Sequence, residues 1–318
     1  MTFFVAATID WMIPRFMPGD PVQSLVSKTG GLSATAAQAQ YDYYNNLFGL
    51  SQPLPVQFLN FWSSLLHGNL GLSVYGSGAP VGQMIMQAIP YTLALLIPAI
   101  LLSWWLGNSF GAMAARRKLL DNTVLPIGYI LTATPYMWLA LVLSFVLSIT
   151  FKIFPLSGGY GMDLEPALTW RFFTDLVAHW FLPFLSLFLV GFGGWAIGMR
   201  NMIIYELESD YSRYLEALGA PQKLVRKYAF RNAMLPQITG LALQIGAVLA
   251  GALVTEIVFS YPGLGSMIYQ AIINKDYFVI QGVFLFIIIG VLIANFIVDI
   301  VYVLVDPRTR IGMQGGQA

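Results

Sequence analysis

Cysteine is absent from the 318 residues, which excludes disulfides, thiolate nucleophiles and Cys-based zinc sites together. Histidine is nearly absent. His67 and His179 are the two in the chain, and without a His-Glu-x-x-His pattern no metal site is expected. Charge is scarce too: Asp, Glu, Lys and Arg make up 10% of the residues, where a soluble domain carries about 25%. The net charge of +1 gives nucleic acid nothing to be attracted by, so no nucleic-acid partner is expected. No lysine follows a glycine, so the phosphate-loop pattern Gly-x-x-x-x-Gly-Lys-Ser/Thr is missing. No nucleophile–base pair stands out either, and the chain does not read as an enzyme.

What remains is apolar. Hydrophobic residues make up 57% of the chain and the mean hydropathy is +0.69, so much of the surface must face lipid. A spanning helix needs about 20 mostly apolar residues. Five segments qualify: Ala88–Ala114, Val124–Phe154, Trp180–Met199, Leu235–Phe259 and Val279–Leu304. Val124–Phe154 is long enough to imply tilt or extension beyond the bilayer. Thr2–Met17, short and carrying Asp10 and Pro14, reads as the first span. The expected fold is therefore all-α, with six transmembrane helices and residues 1–318 forming one transmembrane domain.

Basic residues orient it. Arg116, Arg117, Lys118, Arg200, Arg213, Lys223, Arg226, Lys227, Arg231, Arg308 and Arg310 follow spans two and four or lie in the tail. Arg15, Lys28, Lys152, Arg171 and Lys275 fall on the other side. The asymmetry predicts a multi-pass protein with both termini cytoplasmic. Residues 18–87 then form an outer loop with short helices over Ala34–Phe48 and Leu50–Leu66, and turns at Gly68–Gly71 and Gly76–Pro80. A second outer loop covers 155–178.

On the inner side, residues 200–236 form the one long polar stretch. Ser209 or Asp210 can cap a helix running through Leu218. Gly219 suits the left-handed position that ends helices, and Pro221 prevents continuation. A second amphipathic stretch, Gln222–Met234, re-enters the membrane at Leu235-Pro236. The prediction is a helix pair under the bilayer presenting Tyr211, Tyr214, Leu215 and Leu218. An interfacial helix resting on headgroups is the plainer alternative.

This loop resembles that of binding-protein-dependent permeases, in which Glu-Ala-Ala is followed by a Gly and, downstream, Leu-Pro. Gly219, Ala217 and Arg231-Asn232-Ala233-Met234-Leu235-Pro236 match. The triplet itself falls at Arg213-Tyr214-Leu215 and is not kept, as in the dipeptide/oligopeptide permeases. Met17-Pro18-Gly19-Asp20-Pro21, Phe48-Gly49-Leu50, Gln52-Pro53-Leu54-Pro55 and Gly68-Asn69-Leu70-Gly71-Leu72-Ser73 fit the same family. So do the stretch from Thr255 to Gly265, Asn295, Asp299 and Asp306-Pro307-Arg308. The resemblance covers nearly the whole chain and implies the type I ABC importer permease fold. It also implies residence in the plasma (inner) membrane of a prokaryote. The implied partners are a homologous second permease, two ABC ATP-binding subunits carrying ATP and Mg, and an extracytoplasmic solute-binding protein. It makes Tyr211, Arg213, Tyr214, Leu215, Glu216, Ala217, Leu218 and Gly219 the surface coupled to the ATPase. Short peptides are the implied cargo, with oligosaccharides such as cello-oligosaccharides as the alternative.

An ion-coupled secondary transporter is the competing class. It would need Asp10, Glu256 or Asp299 as proton or substrate ligands, because intramembrane charges face cavities or the bundle interior. The structural reading instead hydrogen-bonds Glu256 and Asp299 to neighbouring helices near the span ends. Glu256 and Asp10 are carried forward as candidate translocation-path residues. Gly191, Gly193, Gly194 and Gly198, with Gly240, Gly246 and Gly251, read as close helix contacts before pore lining. Tyr261-Pro262-Gly263 reads as a turn at the outer face, either a receptor or gate contact or a plain re-entry turn.

Overall fold

The computed structural model describes residues 1–305 except 17–18, 21, 24–25, 27–32, 48 and 76–77. Met17, Pro18, Pro21, Lys28, Phe48, Gly76 and everything from Asp306 on, including Arg308 and Arg310, lie outside the described residues, as does the side chain of Asp299.

Proline and hydroxyl residues punctuate the chain into helices. In order these are α1 (Thr2–Phe16), α2 (Ala34–Leu47), α3 (Leu54–Leu66), α4 (Val81–Ala114), α5 (Lys118–Ala133) and α6 (Tyr136–Leu143). A π-helical stretch, Ser144–Thr150, continues α6. Then come α7 (Trp170–Glu208), α8 (Asp210–Ala217), α9 (Gln222–Val258), α10 (Leu264–Asn274) and α11 (Tyr277–Val305). Pro53, Pro135 and Pro221 stand at the N-caps of α3, α6 and α9. Their fixed φ and missing N–H suit the position before a first turn. Thr169 caps α7, its Oγ1 accepting from the Phe172 N–H at 3.3 Å. Among the described residues the one extended pairing is an isolated antiparallel bridge between Leu72 and Pro80. The fold is all-α.

Three described helices are long and apolar enough to cross a membrane: α4, α7, and α11 through Phe296. Lys118–Ala133 and Tyr136–Thr150 qualify only as a pair, with a 104° bend between them. The continuous run expected over Val124–Phe154, with its tilt or extension, is thus corrected to two helices bent against each other. Thr134 and Pro135 are both extended, as a residue before proline favours. α1 is apolar but short over Thr2–Ile13, and α9 covers the expected span from Leu235 to Val258, with Phe259 as its C-cap. α7 also begins earlier than expected, so the second outer loop becomes helical at Trp170. At 39 residues, α7 is about 58 Å long, far more than the roughly 30 Å of hydrocarbon. Its excess length is what carries the polar stretch out of the membrane.

The chain divides into two compact units, Met1–Thr92 with Pro262–Leu292, and Leu93–Tyr261 with Ile293–Ala318. In the first, buried Val22 and Val74 pack with Tyr41, Tyr44, Leu50 and Phe278. Asp276 is the staple: its Oδ2 accepts from Ser73 Oγ at 2.5 Å and from the Tyr75 N–H at 3.0 Å. Gly71 is required beside it, because its φ is +84° and a Cβ there would lie 2.6 Å from the Phe278 ring. Asp20 anchors the segment that follows α1 by accepting the Tyr41 hydroxyl at 2.6 Å and the Val22 N–H at 2.8 Å. In the second unit α4, α5, α7 and α9 pack through small residues. A Cβ on Gly111 would lie 2.2 Å from the Ala196 carbonyl oxygen, and one on Gly193 would lie 2.6 Å from that of Gly128.

Candidate coupling site

The polar stretch between α7 and α9 folds as one short helix held at both ends. Ser209 begins it, in extended conformation with ψ 155°. Its hydroxyl turns back to donate to the Glu206 carbonyl at 2.6 Å and does not cap α8 itself. Asp210 stands in the first turn of α8, where negative charge suits the helix dipole. At the other end Gly219 adopts φ +78°. The Gly219 N–H bonds to the Glu216 carbonyl at 2.9 Å, and the Ala220 N–H to the Leu215 carbonyl at 3.0 Å. That pair of bonds is the Schellman arrangement, which satisfies the last carbonyls of a helix. No atom lies within 4 Å of where a Gly219 Cβ would stand, so glycine is needed for its dihedral angles and not for space. Two residues later Pro221 opens α9. Helix, glycine stop and proline start together give a stiff elbow.

What the elbow shows outward is narrower than expected. Tyr214 and Leu218, four residues apart on one face, are 65% and 67% exposed. Arg213, Glu216 and Ala217 are exposed, and Leu215 is half-buried. The Glu216 carboxylate accepts from Gln222 Nε2 at 2.8 Å, across the Gly219 turn. Tyr211 is half-buried and donates its hydroxyl to Glu206 Oε2 at 2.7 Å.

Glu206 is the residue that sequence reasoning missed. Its Oε2 also accepts from Asn232 Nδ2 of α9 at 3.3 Å, and its carbonyl takes the hydroxyl of buried Ser212 at 2.7 Å. One residue thereby ties the end of α7 to α8 and to α9. Its partners lie five, six and 26 positions away, a spacing that no linear pattern announces. The usable signal was the cluster of hydroxyls at Ser209, Tyr211 and Ser212 just after Glu206.

Further along α7, Arg200 grips Asp121 of α5 in a two-point fork, Nε to Oδ1 at 2.8 Å and Nη2 to Oδ2 at 2.7 Å. Both residues lie just outside the spans expected from Val124 and to Met199. The guanidinium holds the Asp121 carboxyl below its ordinary range, because charge-assisted hydrogen bonds favour the ionised form.

The other predicted residues lie apart from the elbow. Tyr261 is 1% exposed, and its N–H donates to the Glu256 carbonyl at 2.8 Å. Pro262 is exposed, while Gly263 is buried as the N-cap of α10. In the first unit the Leu264 N–H donates to Thr92 Oγ1 at 2.8 Å. Glu256 is fully buried, and Asp10 is 2% exposed in the first unit. For either to meet a passing solute, the surrounding helices must move. The structure brings residues 211–219 together with Glu206 and Asn232, and gathers no other predicted pair around them. Among the described residues no group of His, Asp and Glu could hold a metal.

A glycine-stopped helix thus stands between the long helices α7 and α9. Residues 107–311 match the family model described as the inner membrane component of binding-protein-dependent transport systems. The chain belongs to this family. Relatives extend the match to its full length. It is 32% identical to the di/tripeptide transport system permease protein DppB of Pseudomonas aeruginosa, over 97% of this chain and 95% of that one. Identity to the oligopeptide transport system permease protein AppB of Bacillus subtilis is 30%, over 94% and 92% of the two chains. The dipeptide transport system permease protein DppB of Escherichia coli K12 is also 30% identical, over 97% and 95%. As a member of this family the chain is a multi-pass membrane permease subunit.

Proposed function

We propose that this chain is one of two homologous permease subunits of an ATP-driven importer of short peptides. Residues 1–318 act in it as one transmembrane domain, with both termini in the cytoplasm of a prokaryote. Two ATP-binding subunits, holding ATP and Mg, grip the elbow from below, and an extracytoplasmic solute-binding protein delivers cargo from above. The observation that carries this reading is the elbow itself. Tyr214 and Leu218 stand outward on a helix that Glu206 locks to both neighbouring spans. A push on that face has few soft joints to dissipate in. The Schellman end, the proline start and the clasp pass it to α7 and α9 as rigid-body motion, the usual means by which interface rotation opens a path.

The peptide cargo is supported by relatives named as di/tripeptide, oligopeptide and dipeptide permeases, which match over 94–97% of this chain. At the outer end the exposed Pro262 is the part of Tyr261-Pro262-Gly263 that a docking receptor can touch, with its buried neighbours setting its position. The test is transport by the reconstituted four-subunit assembly in sealed vesicles. Peptide-loaded receptor plus ATP should drive peptide accumulation. Uptake driven by a pH gradient without ATP would replace this reading with an ion-coupled carrier, and accumulation of oligosaccharide but not peptide would overturn the cargo.

A further inference from the structure

The largest departure from regular helix at membrane depth is the 104° break between α5 and α6. Pro135 has no N–H to give. Thr134 compensates part of the loss, its hydroxyl reaching the Ile130 carbonyl at 2.6 Å and its N–H that of Leu131 at 3.2 Å. The carbonyls of Thr132 and Ala133, and the N–H groups of Tyr136, Met137 and Trp138, find no partner among the described residues. Unpaired backbone at this depth does not face hydrocarbon; it persists where it is packed in protein or lines a wet cavity.

A cavity lies at this break. An open groove of about 680 Å³ is walled by Thr132 to Tyr136, by α7 from Val190 to Met202, and by Pro236 and Gln237 of α9. Its size is that of a small-molecule site. No Asp, Glu, Lys, Arg or His lines it. Trp195 does line it, only 8% exposed, its buried indole N–H without an acceptor among the described residues.

The glycines of α7 divide into two kinds. A Cβ on Gly191, which also borders the groove, or on Gly193 would meet Ser103 at 2.8 Å or Gly128 at 2.6 Å, so these two serve helix packing. On Gly194 the nearest atom would be Thr132 Oγ1 at 3.9 Å, and on Gly198 the Gln237 amide at 3.5 Å. Those two line the groove and leave space that packing does not use.

We propose that this groove is a transit site for the main chain of a short peptide. The end of α5 offers carbonyls to an ammonium or amide N–H. The start of α6 offers N–H groups to a carboxylate or amide carbonyl. Hydroxyls and the Gln237 amide supply the rest. Every peptide presents this alternation of donors and acceptors whatever its side chains. An uncharged wall neither traps acidic peptides nor repels basic ones, which suits a site that must release what it binds. The inference rests on the peptide-permease reading above.

The absence of cysteine makes the test direct. Gly198→Cys and Gly194→Cys are made in the full assembly with cysteine-free partners, with Gly290→Cys as the control outside the groove. Gly290 has open space for a Cβ. A water-soluble methanethiosulfonate is then applied during turnover. The two groove positions should be modified, and a transported peptide at ten times its half-saturating concentration should slow modification about tenfold, with no effect at residue 290. Modification of neither groove thiol, or modification that peptide does not slow while the same vesicles import peptide, overturns the groove as the transit site. Vesicles that import another solute but no peptide, with that solute protecting the groove, would instead keep the site and sink the peptide reading.

Discussion

Single residues decide whether the elbow is a lever or a hinge. Glu206 accepts from Tyr211 and Asn232 with one carboxylate oxygen. Glu206→Ala should therefore loosen α8 from both spans and reduce receptor-stimulated ATPase activity several-fold, while Glu206→Gln, which keeps an acceptor, should lose less. Tyr211→Phe combined with Glu206→Ala should fall short of additivity by about 1 kcal/mol in a double-mutant cycle on the stimulated rate; full additivity would mean that the bond does not couple. Gly219→Ala forces a Cβ into the left-handed region at a cost of about 1–2 kcal/mol. Faster amide exchange at Ala220 is the readout, and unchanged exchange would contradict it. Gly219 and Pro221 were legible in the sequence because stop and start signals act locally. Glu206 was not, since one of three closely spaced acids, Glu206, Glu208 and Asp210, looks solvated until its partners are folded around it.

At the scale of elements, small residues set how closely helices approach. Gly111→Ala would place a Cβ 2.2 Å from backbone of α7, and overpacking of this kind costs about 1–3 kcal/mol or more. It should lower the thermal midpoint of the detergent-solubilised complex, whereas Gly290→Ala, with nothing within 4 Å, should leave it in place. The Asp121–Arg200 fork ties α5 to α7 and gives a pH signature. Asp121 titrates below its ordinary value in the folded protein. Its contribution is thus present above the unfolded carboxylate value of about 3.9 and is lost as pH falls through the depressed folded value. Thermal stability should drop below about pH 4 in the wild type and more shallowly in Arg200→Gln; parallel curves would remove the fork from the account. The helices α2 and α3 of the outer loop were readable from pattern alone. The break after α5 was not, although Pro135 was in view, because an unbroken apolar run hides a bend that only the backbone accounting reveals.

Over the whole molecule, the proposed function makes the chain a path and a lever whose driving step belongs to other subunits, so on that proposal coupling passes through a surface that they can reach. Tyr214 is the most accessible aromatic of α8. Its replacement by aspartate puts an acidic group where the account requires an apolar grip, without touching the spans. The deciding measurement is peptide uptake alongside ATPase activity for Tyr214→Asp in the reconstituted assembly. The account predicts normal membrane insertion and basal hydrolysis, with loss of both receptor stimulation and uptake. Wild-type stimulated transport in that variant would contradict it.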